Sequence, residues 1–293
     1  MSVRNVANEE YSTELDAAIE AAMVAGKIVQ EIYEGAAFGV YDKEDGSPVT
    51  DADLAADREI RRIIAARFPG DAFLTEETAD EPSRLQANRC WIVDPIDGTA
   101  QFIARTGRFD VVIALAVAGR PVVGAICHPP SGTILAAVRG QGAWRIDEHG
   151  KEPVVIPPAR PDEPLRVASS IWFGVPSLQH ELDRIIAELG AVEAPALPTG
   201  IRPVEILDQE RPFDVVVGPI GSIDTTYGGE WDFAAPDLII TEAGGAMSDL
   251  FGDKHRFNKP RMRNSGGVIY SCDPDTHARV VAACAAGIPT PPE

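Results

Sequence analysis

The sequence predicts a protein of layered α and β structure, in the α+β or α/β class, with a candidate site between two lobes. Two helical patterns open the chain, a series of short β-rich segments follows, and the second half alternates strands with helices. The chain has 293 residues, of which 45% are hydrophobic and 24% charged. This length and composition are typical of a globular protein with sizeable cores.

Two amphipathic helices are expected at the start of the chain. Residues 9–34 carry apolar side chains at helical spacing, and Gly35 can end this helix. Thr50 is a suitable cap for a second helix, with Asp53 in its first turn and Pro69-Gly70 at its end.

Short β-rich segments separated by turn residues come next. They are residues 72–74, 90–93, 109–118, 121–127, 133–138 and 142–146. This pattern is typical of an antiparallel meander. The stretch P-P-A-R-P-D-E-P at 157–164 then predicts a boundary within a single domain. We expect an α+β lobe over residues 1–160 and an α/β lobe over residues 161–293.

The second half of the chain alternates between the two kinds of element. The expected strands are 165–169, 213–217, 246–250 and 267–272, and the expected helices are 177–189, 232–243 and 275–286. Such alternation predicts strands covered by helices.

The charge balance excludes several classes of partner. The chain has 45 acidic residues against 26 Lys and Arg, a net charge of −19, which would repel nucleic acid and anionic membranes. We see no signal-peptide core and no apolar run long enough to span a bilayer. The four cysteines are scattered without a C-x-x-C pair, so we expect buried free thiols and a cytoplasmic location.

The stretch W-I-V-D-P-I-D-G-T, residues 91–99, places two carboxylates at the end of an apolar strand. Pro95 biases Asp94 toward an extended backbone, and Asp97 follows closely enough for both side chains to point into one space. Two such carboxylates repel each other unless one is protonated or a divalent cation lies between them. The cation explains more, and oxygen ligands of this kind suit Mg²⁺.

The residues after this carboxylate pair favour an anion. Gly98 and Thr99 precede a short segment that can begin a helix, and the free amides of a helix start favour a phosphate oxygen.

Further acids occupy similar positions elsewhere. Glu76 and Glu77 follow the segment 72–74, and Asp232 lies at the start of a helix beside a tryptophan. Taken singly, Glu76 and Glu77 fit an exposed loop better than a site, and Asp232 fits an ordinary helix-start role better.

Four segments together resemble the inositol monophosphatase family of magnesium-dependent, lithium-sensitive phosphomonoesterases. They are K-E-D-G-S-P-V-T-D-A-D, which is similar to the family's mobile loop and following helix, L-T-E-E-T, W-I-V-D-P-I-D-G-T and E-W-D-F-A-A-P-D-L-I-I-T-E-A-G-G. They occur in the family's order and span most of the chain. The resemblance implies the alternating α-β-α-β-α sandwich of that family.

The resemblance also implies roles for individual residues around two or three Mg²⁺ ions. The implied metal ligands are Glu76, Asp94, the Ile96 carbonyl, Asp97 and Asp232. Thr99, oriented by Asp53, would position and deprotonate the attacking water, and Glu77 would support the ligands. The Gly98 and Thr99 amides would hold the phosphate. Asp97, Asp232 and Thr225 would face the substrate.

The implied function is hydrolysis of a small polyol phosphate by metal-activated water, with inositol 1-phosphate as the first candidate. A 3′(2′),5′-bisphosphate nucleotidase, a histidinol-phosphatase and a fructose-1,6-bisphosphatase are alternatives, because G-T-A-Q-F stands where the family usually has G-T-T-N-F. A metal-binding regulatory or scaffold protein is the non-enzyme alternative. The expected assembly, a homodimer, is also carried over from the family.

Overall fold

The computed structural model of the chain describes residues 10–43, 46–169, 176–194, 202–218, 227–264 and 266–286. Within these residues, helices and sheets alternate in five layers: two helices, a seven-stranded sheet, one helix, a five-stranded sheet, and two helices. The α-β-α-β-α sandwich expected from the sequence is confirmed. None of the described helices is long and apolar enough to cross a membrane.

The first layer consists of helices α1 (Ser12–Glu34) and α2 (Asp51–Arg67). The buried face of α1 is mostly alanine, so α1 packs closely on α2 and on the sheet. Between them lies a hairpin of strands β1 (Val40–Asp42) and β2 (Pro48–Thr50), and β2 leads directly into α2.

The seven-stranded sheet follows the chain order of its strands. They are β3 (Ala72–Thr75), β4 (Arg89–Asp97), β5 (Asp110–Val117), β6 (Arg120–His128), β7 (Thr133–Val138), β8 (Gly142–Asp147) and β9 (Gly150–Val154). Only the β3–β4 pair is parallel, so the predicted antiparallel meander is confirmed from β4 onward. The meander has one strand more than predicted. The additional strand, β9, is exposed and lacks an apolar pattern, so the sequence did not indicate it.

Both faces of this sheet are covered, and the alternation of side chains in β5 shows how. Val111, Ile113 and Leu115 belong to the core with α1 and α2, while Val112 and Ala114 belong to the core on the other face. A strand buried on both faces therefore has an unbroken apolar sequence.

The middle layer is helix α5 (Glu230–Glu242), which lies between the two sheets and is buried along nearly its whole length. It approaches β6 so closely that a Cβ on Gly124 would lie 3.3 Å from the Ala235 backbone. This close packing fixes the start of α5, and with it Asp232, relative to the seven-stranded sheet.

The second sheet has strand order β11-β10-β12-β16-β14 and is covered on its outer face by two helices. The strands are β10 (Arg166–Ser169), β11 (Val192–Glu193), β12 (Val215–Val217), β14 (Ala246–Ser248) and β16 (Ile269–Ser271), and the helices are α4 (Pro176–Leu189) and α6 (Pro274–Ala285). A further antiparallel pair consists of β13 (Tyr227–Gly229), which leads directly into α5, and β15 (Arg263–Asn264), whose Asn264 side chain donates to the Gly229 carbonyl. The four cysteines are free and buried, as predicted.

Candidate active site

The end of β4 carries two of the predicted acids. The pairing of β4 with β5 shifts register between Asp94 and Asp97, where Pro95 interrupts the ladder. Asp94 Oδ1 accepts a hydrogen bond from the Ile96 amide at 3.0 Å, which stabilises the irregular backbone. The shift turns both carboxylates toward one space.

The third acid, Asp232, comes from the first turn of α5. Its Oδ2 accepts the Gly229 amide at 2.7 Å, so the carboxylate also caps the helix. A capped helix start is a rigid support, and the buried α5 therefore holds Asp232 in a fixed place.

Asp94, Asp97 and Asp232 each offer a carboxylate oxygen to a group in which these atoms lie within 4.8 Å of one another. Burial, followed by the charges of neighbouring acids, raises the pKa of Asp94 and that of Asp97 well above their usual range. Burial is also the main cause that raises the pKa of Asp232 from 3.8 to about 7. Three carboxylates thus share a space in which their negative charges are costly.

A divalent cation fits this arrangement. Mg²⁺ in proteins is held by a few carboxylate oxygens together with water and substrate phosphate, and a cation here would offset both the burial of these charges and their mutual repulsion.

Glu76 and Glu77 lie beside this group, and Lys43 joins them. Lys43 Nζ donates to Glu76 Oε1 at 2.8 Å and to Glu77 Oε1 at 2.6 Å. Burial lowers the pKa of Lys43, but these two carboxylates together raise it to about 12, whereas burial raises the pKa of Glu77 to about 7. The structure therefore places the charge of Lys43, from the segment K-E-D-G-S-P-V-T-D-A-D, at these two acids.

Thr99 lies between two of the predicted site residues. Its Oγ1 is 3.1 Å from Asp53 Oδ1 and 3.1 Å from the Ile96 carbonyl oxygen. Gly98, just before it, has a φ of 96°, and a Cβ there would lie 2.8 Å from the Arg108 carbonyl oxygen. Glycine is therefore required where the chain turns from β4 into the short helix α3 (Thr99–Ile103).

The structure thus brings Glu76, Glu77, Asp53, Asp94, Ile96, Asp97, Gly98, Thr99 and Asp232 to one region. Among the described residues the close three-acid group does not include Glu76, whose carboxylate is paired with Lys43. Thr225, predicted to face the substrate, lies outside the described residues.

One charged pair at the site was not predicted. Arg202 forms two hydrogen bonds to the buried Asp110, at 2.6 and 2.5 Å, and Asp110 is the register partner of Asp97. Of the two charges, Asp110 raises and Arg202 lowers the pKa of Asp97. Asp110 and Arg202 are 92 residues apart and belong to no shared motif, so the sequence offered no signal for this contact.

Comparisons with known proteins identify the family of this chain. A model of the inositol monophosphatase family matches residues 10–287. The histidinol-phosphatase of Chlorobaculum parvum is 32% identical over 82% of this chain and 86% of its own. The 3′(2′),5′-bisphosphate nucleotidase CysQ of Escherichia coli K12 is 30% identical over 81% of this chain and 91% of its own.

A solved structure extends the similarity to the fold. CysQ from Bacteroides thetaiotaomicron, described as a bacterial member of the inositol monophosphatase family, superposes with a TM-score of 0.72 at 26% identity. The superposition covers 91% of this chain and 100% of that one.

The layered fold, the family match and the activities named for the relatives together identify a hydrolase of phosphoric monoesters. The chain belongs to the inositol monophosphatase family.

Proposed function

We propose that this chain is a Mg²⁺-dependent phosphomonoesterase that hydrolyses a small polyol phosphate, with inositol 1-phosphate as its first candidate substrate. The proposal rests on one observation above all: the oxygens of Asp94, Asp97 and Asp232 lie within 4.8 Å of one another, in a region that also contains Thr99. The bound cations, two or three in number, would activate water and neutralise charge on the phosphate and the leaving oxygen.

The protein's own groups supply position and proton transfer. Asp94, Asp97, Asp232, Glu76 and the Ile96 carbonyl would hold the cations, and Glu77 would support them. The Asp53 carboxylate accepts from Thr99 Oγ1 and would keep that hydroxyl oriented toward the attacking water. The Gly98 and Thr99 amides would hold the phosphate.

The leaving group would lie near Asp97 and Asp232, and Thr225 would contact it and contribute to substrate specificity.

We also propose that residues 1–160 form one lobe, with most of the metal ligands, and that residues 161–293 form another, which supplies Asp232. A homodimer and a cytoplasmic location remain predictions.

A second candidate substrate class is favoured by the relatives' names. Histidinol phosphate and 3′-phosphoadenosine 5′-phosphate carry other leaving groups but the same phosphoric ester, so the same acids would serve them. Fructose 1,6-bisphosphate is the further alternative that the sequence resemblance leaves open.

A phosphate-release panel on the purified chain tests both proposals. We expect hydrolysis that needs Mg²⁺ and stops with EDTA, and a kcat/KM for inositol 1-phosphate at least about tenfold above the other three esters. A higher kcat/KM for one of the others would replace inositol 1-phosphate by that ester. Intact esters in the presence of bound Mg²⁺ would contradict the enzymatic function itself.

A further inference from the structure

The turn after β3 carries Glu76 and Glu77 and is held by hydrogen bonds from three directions. The Glu76 amide donates to the Val93 carbonyl at 3.2 Å, and the Thr78 amide donates to Thr75 Oγ1 at 3.1 Å. The third bond comes from outside the sheet: Thr78 Oγ1 donates to Asp57 Oδ2 at 2.9 Å.

Asp57 lies on α2, four residues after Asp53, and both are buried. Residues four apart share one face of a helix. Asp53 contacts Thr99, and Asp57 contacts Thr78. One helix therefore holds both the hydroxyl that would orient water and the turn that carries Glu76.

The burial of Asp57 calls for an explanation. Only 5% of its surface is exposed, and its Oδ1 has no hydrogen-bond partner among the described residues. Arg61 Nη1 is 3.7 Å from Asp57 Oδ2 and donates to Thr78 Oγ1 at 3.0 Å. The hydrogen bond of this buried carboxylate joins it to the turn that carries Glu76, and a positioning role in the site accounts for keeping a carboxylate here.

We propose that Asp57 is a positioning residue for the metal site: through Thr78 it fixes the 75–78 turn so that Glu76 can reach a divalent cation. This inference rests on the proposed function, because it takes Glu76 as a metal ligand. In this proposal Asp57 is not itself a ligand of the metal or of the substrate. It acts by holding the turn at a fixed distance from the face of α2 that also holds Thr99.

The test measures Mn²⁺ binding to the full chain by electron paramagnetic resonance, without substrate, since Mn²⁺ takes the same oxygen ligands as Mg²⁺. We expect Asp57→Ala and Thr78→Val each to raise the Kd for Mn²⁺ about tenfold, the size of effect seen when groups behind metal ligands are removed. Thr78→Ser and Asp57→Asn keep the hydrogen bond and should bind Mn²⁺ nearly as the unchanged chain does.

The double variant and a control on the same helix make the test specific. Asp57→Ala combined with Thr78→Val should bind Mn²⁺ no more weakly than either single variant, because both remove one interaction. Glu59→Ala is the control, since the salt-bridge partner of Glu59 among the described residues is Arg62 on α2, and it should leave the Kd unchanged.

Three outcomes would overturn the inference. They are an unchanged Kd in folded Thr78→Val, a matching loss in Glu59→Ala, or fully additive losses in the double variant. Thr78→Val conserves side-chain shape at a half-buried position, so it remains informative even when Asp57→Ala does not fold. If the wild-type chain bound no Mn²⁺, the proposed metal site itself would be refuted. That result differs from an unchanged Kd in the variants, which would refute only the role of Asp57.

Discussion

Thr99 Oγ1 lies 3.1 Å from Asp53 Oδ1, although the two residues are 46 positions apart in the chain. The contact joins the start of α3, just after β4, to the first turn of α2. Asp53 is buried, and its other oxygen, Oδ2, accepts hydrogen bonds from the Thr50 amide and hydroxyl at 2.8 and 2.5 Å. These bonds hold the carboxylate in the orientation in which it contacts Thr99. Burial is the main cause that raises the pKa of Asp53 above its usual value.

This contact predicts a separation between catalysis and metal binding. Thr99→Ala should lower kcat by about 100-fold or more, because proton transfer by a positioned group contributes that much, while Mn²⁺ affinity changes little. Thr99→Ser keeps the hydroxyl and should recover most of the rate. Steady-state kinetics with a phosphate assay measures both, and an unchanged kcat in Thr99→Ala would remove Thr99 from the proposed role.

Asp94→Asn should abolish turnover and leave the fold intact. The amide keeps an oxygen for the Ile96 amide but removes a charge from the three-acid group. Because that charge is unfavourable when buried without a cation, the metal-free variant should melt at the same temperature as the unchanged chain or higher. Mg²⁺ should no longer raise the melting temperature.

Thermal scans with and without Mg²⁺, together with kcat, check the Asp94 prediction. Asp16→Asn, at an exposed position of α1, is the matched control and should behave as the unchanged chain. Near-normal activity of Asp94→Asn would argue against the proposed metal site.

Lys43→Met should destabilise the metal-free protein more than the Mg²⁺-bound protein. In the metal-free chain it leaves Glu76 and Glu77 without their cation, so we expect a loss of about 1–3 kcal/mol in the free energy of unfolding. Because Mg²⁺ then no longer competes with Lys43 for Glu76, the stabilisation by Mg²⁺ should increase. Urea unfolding with and without Mg²⁺ measures both; equal losses in the two forms would contradict the competition.

The raised acid pKa values predict how stability depends on pH. The pKa of Glu77 and that of Asp232 are both about 7 in the folded chain, against 4.5 and 3.8 as ordinary values. An acid with a higher pKa in the folded state contributes stability that is present at low pH and is lost as the pH rises through the folded value. The metal-free chain should therefore become less stable between about pH 4 and pH 8.

Melting temperatures across this range check the pH prediction. We expect a fall of at least about 5 °C from pH 5.5 to pH 8 without metal, and a much smaller fall with saturating Mg²⁺, which neutralises the same acids. A metal-free melting temperature that rises over this interval would contradict the burial of these acids without compensation.

The sequence by itself determined the order of the main elements and the identity of the candidate ligands. The continuous apolar run of 111–116 and the helical spacing of 9–34 are local patterns. A strand buried on both faces, or a helix buried along one side, shows its burial in the order of apolar residues along the chain. The D-P-I-D-G-T motif likewise keeps Asp94 and Asp97 within one turn. The short strands β11, β13 and β15 have only two or three residues and carry no such period, so they were not predicted.

The tertiary structure decided which of these acids meet. Asp232 reaches Asp94 only because α5 is packed between the two sheets, and Glu76 lies beside them because β3 pairs with β4. Lys43 and Asp57 are ordinary loop and helix residues in the sequence; their contacts with the 75–78 turn depend on how α2 and the β1–β2 hairpin pack on the sheet. Local sequence specifies helices and strands, whereas contacts between residues about 20 to 140 positions apart arise from the packing of all these elements together. The same packing buries the acids and so raises their pKa values.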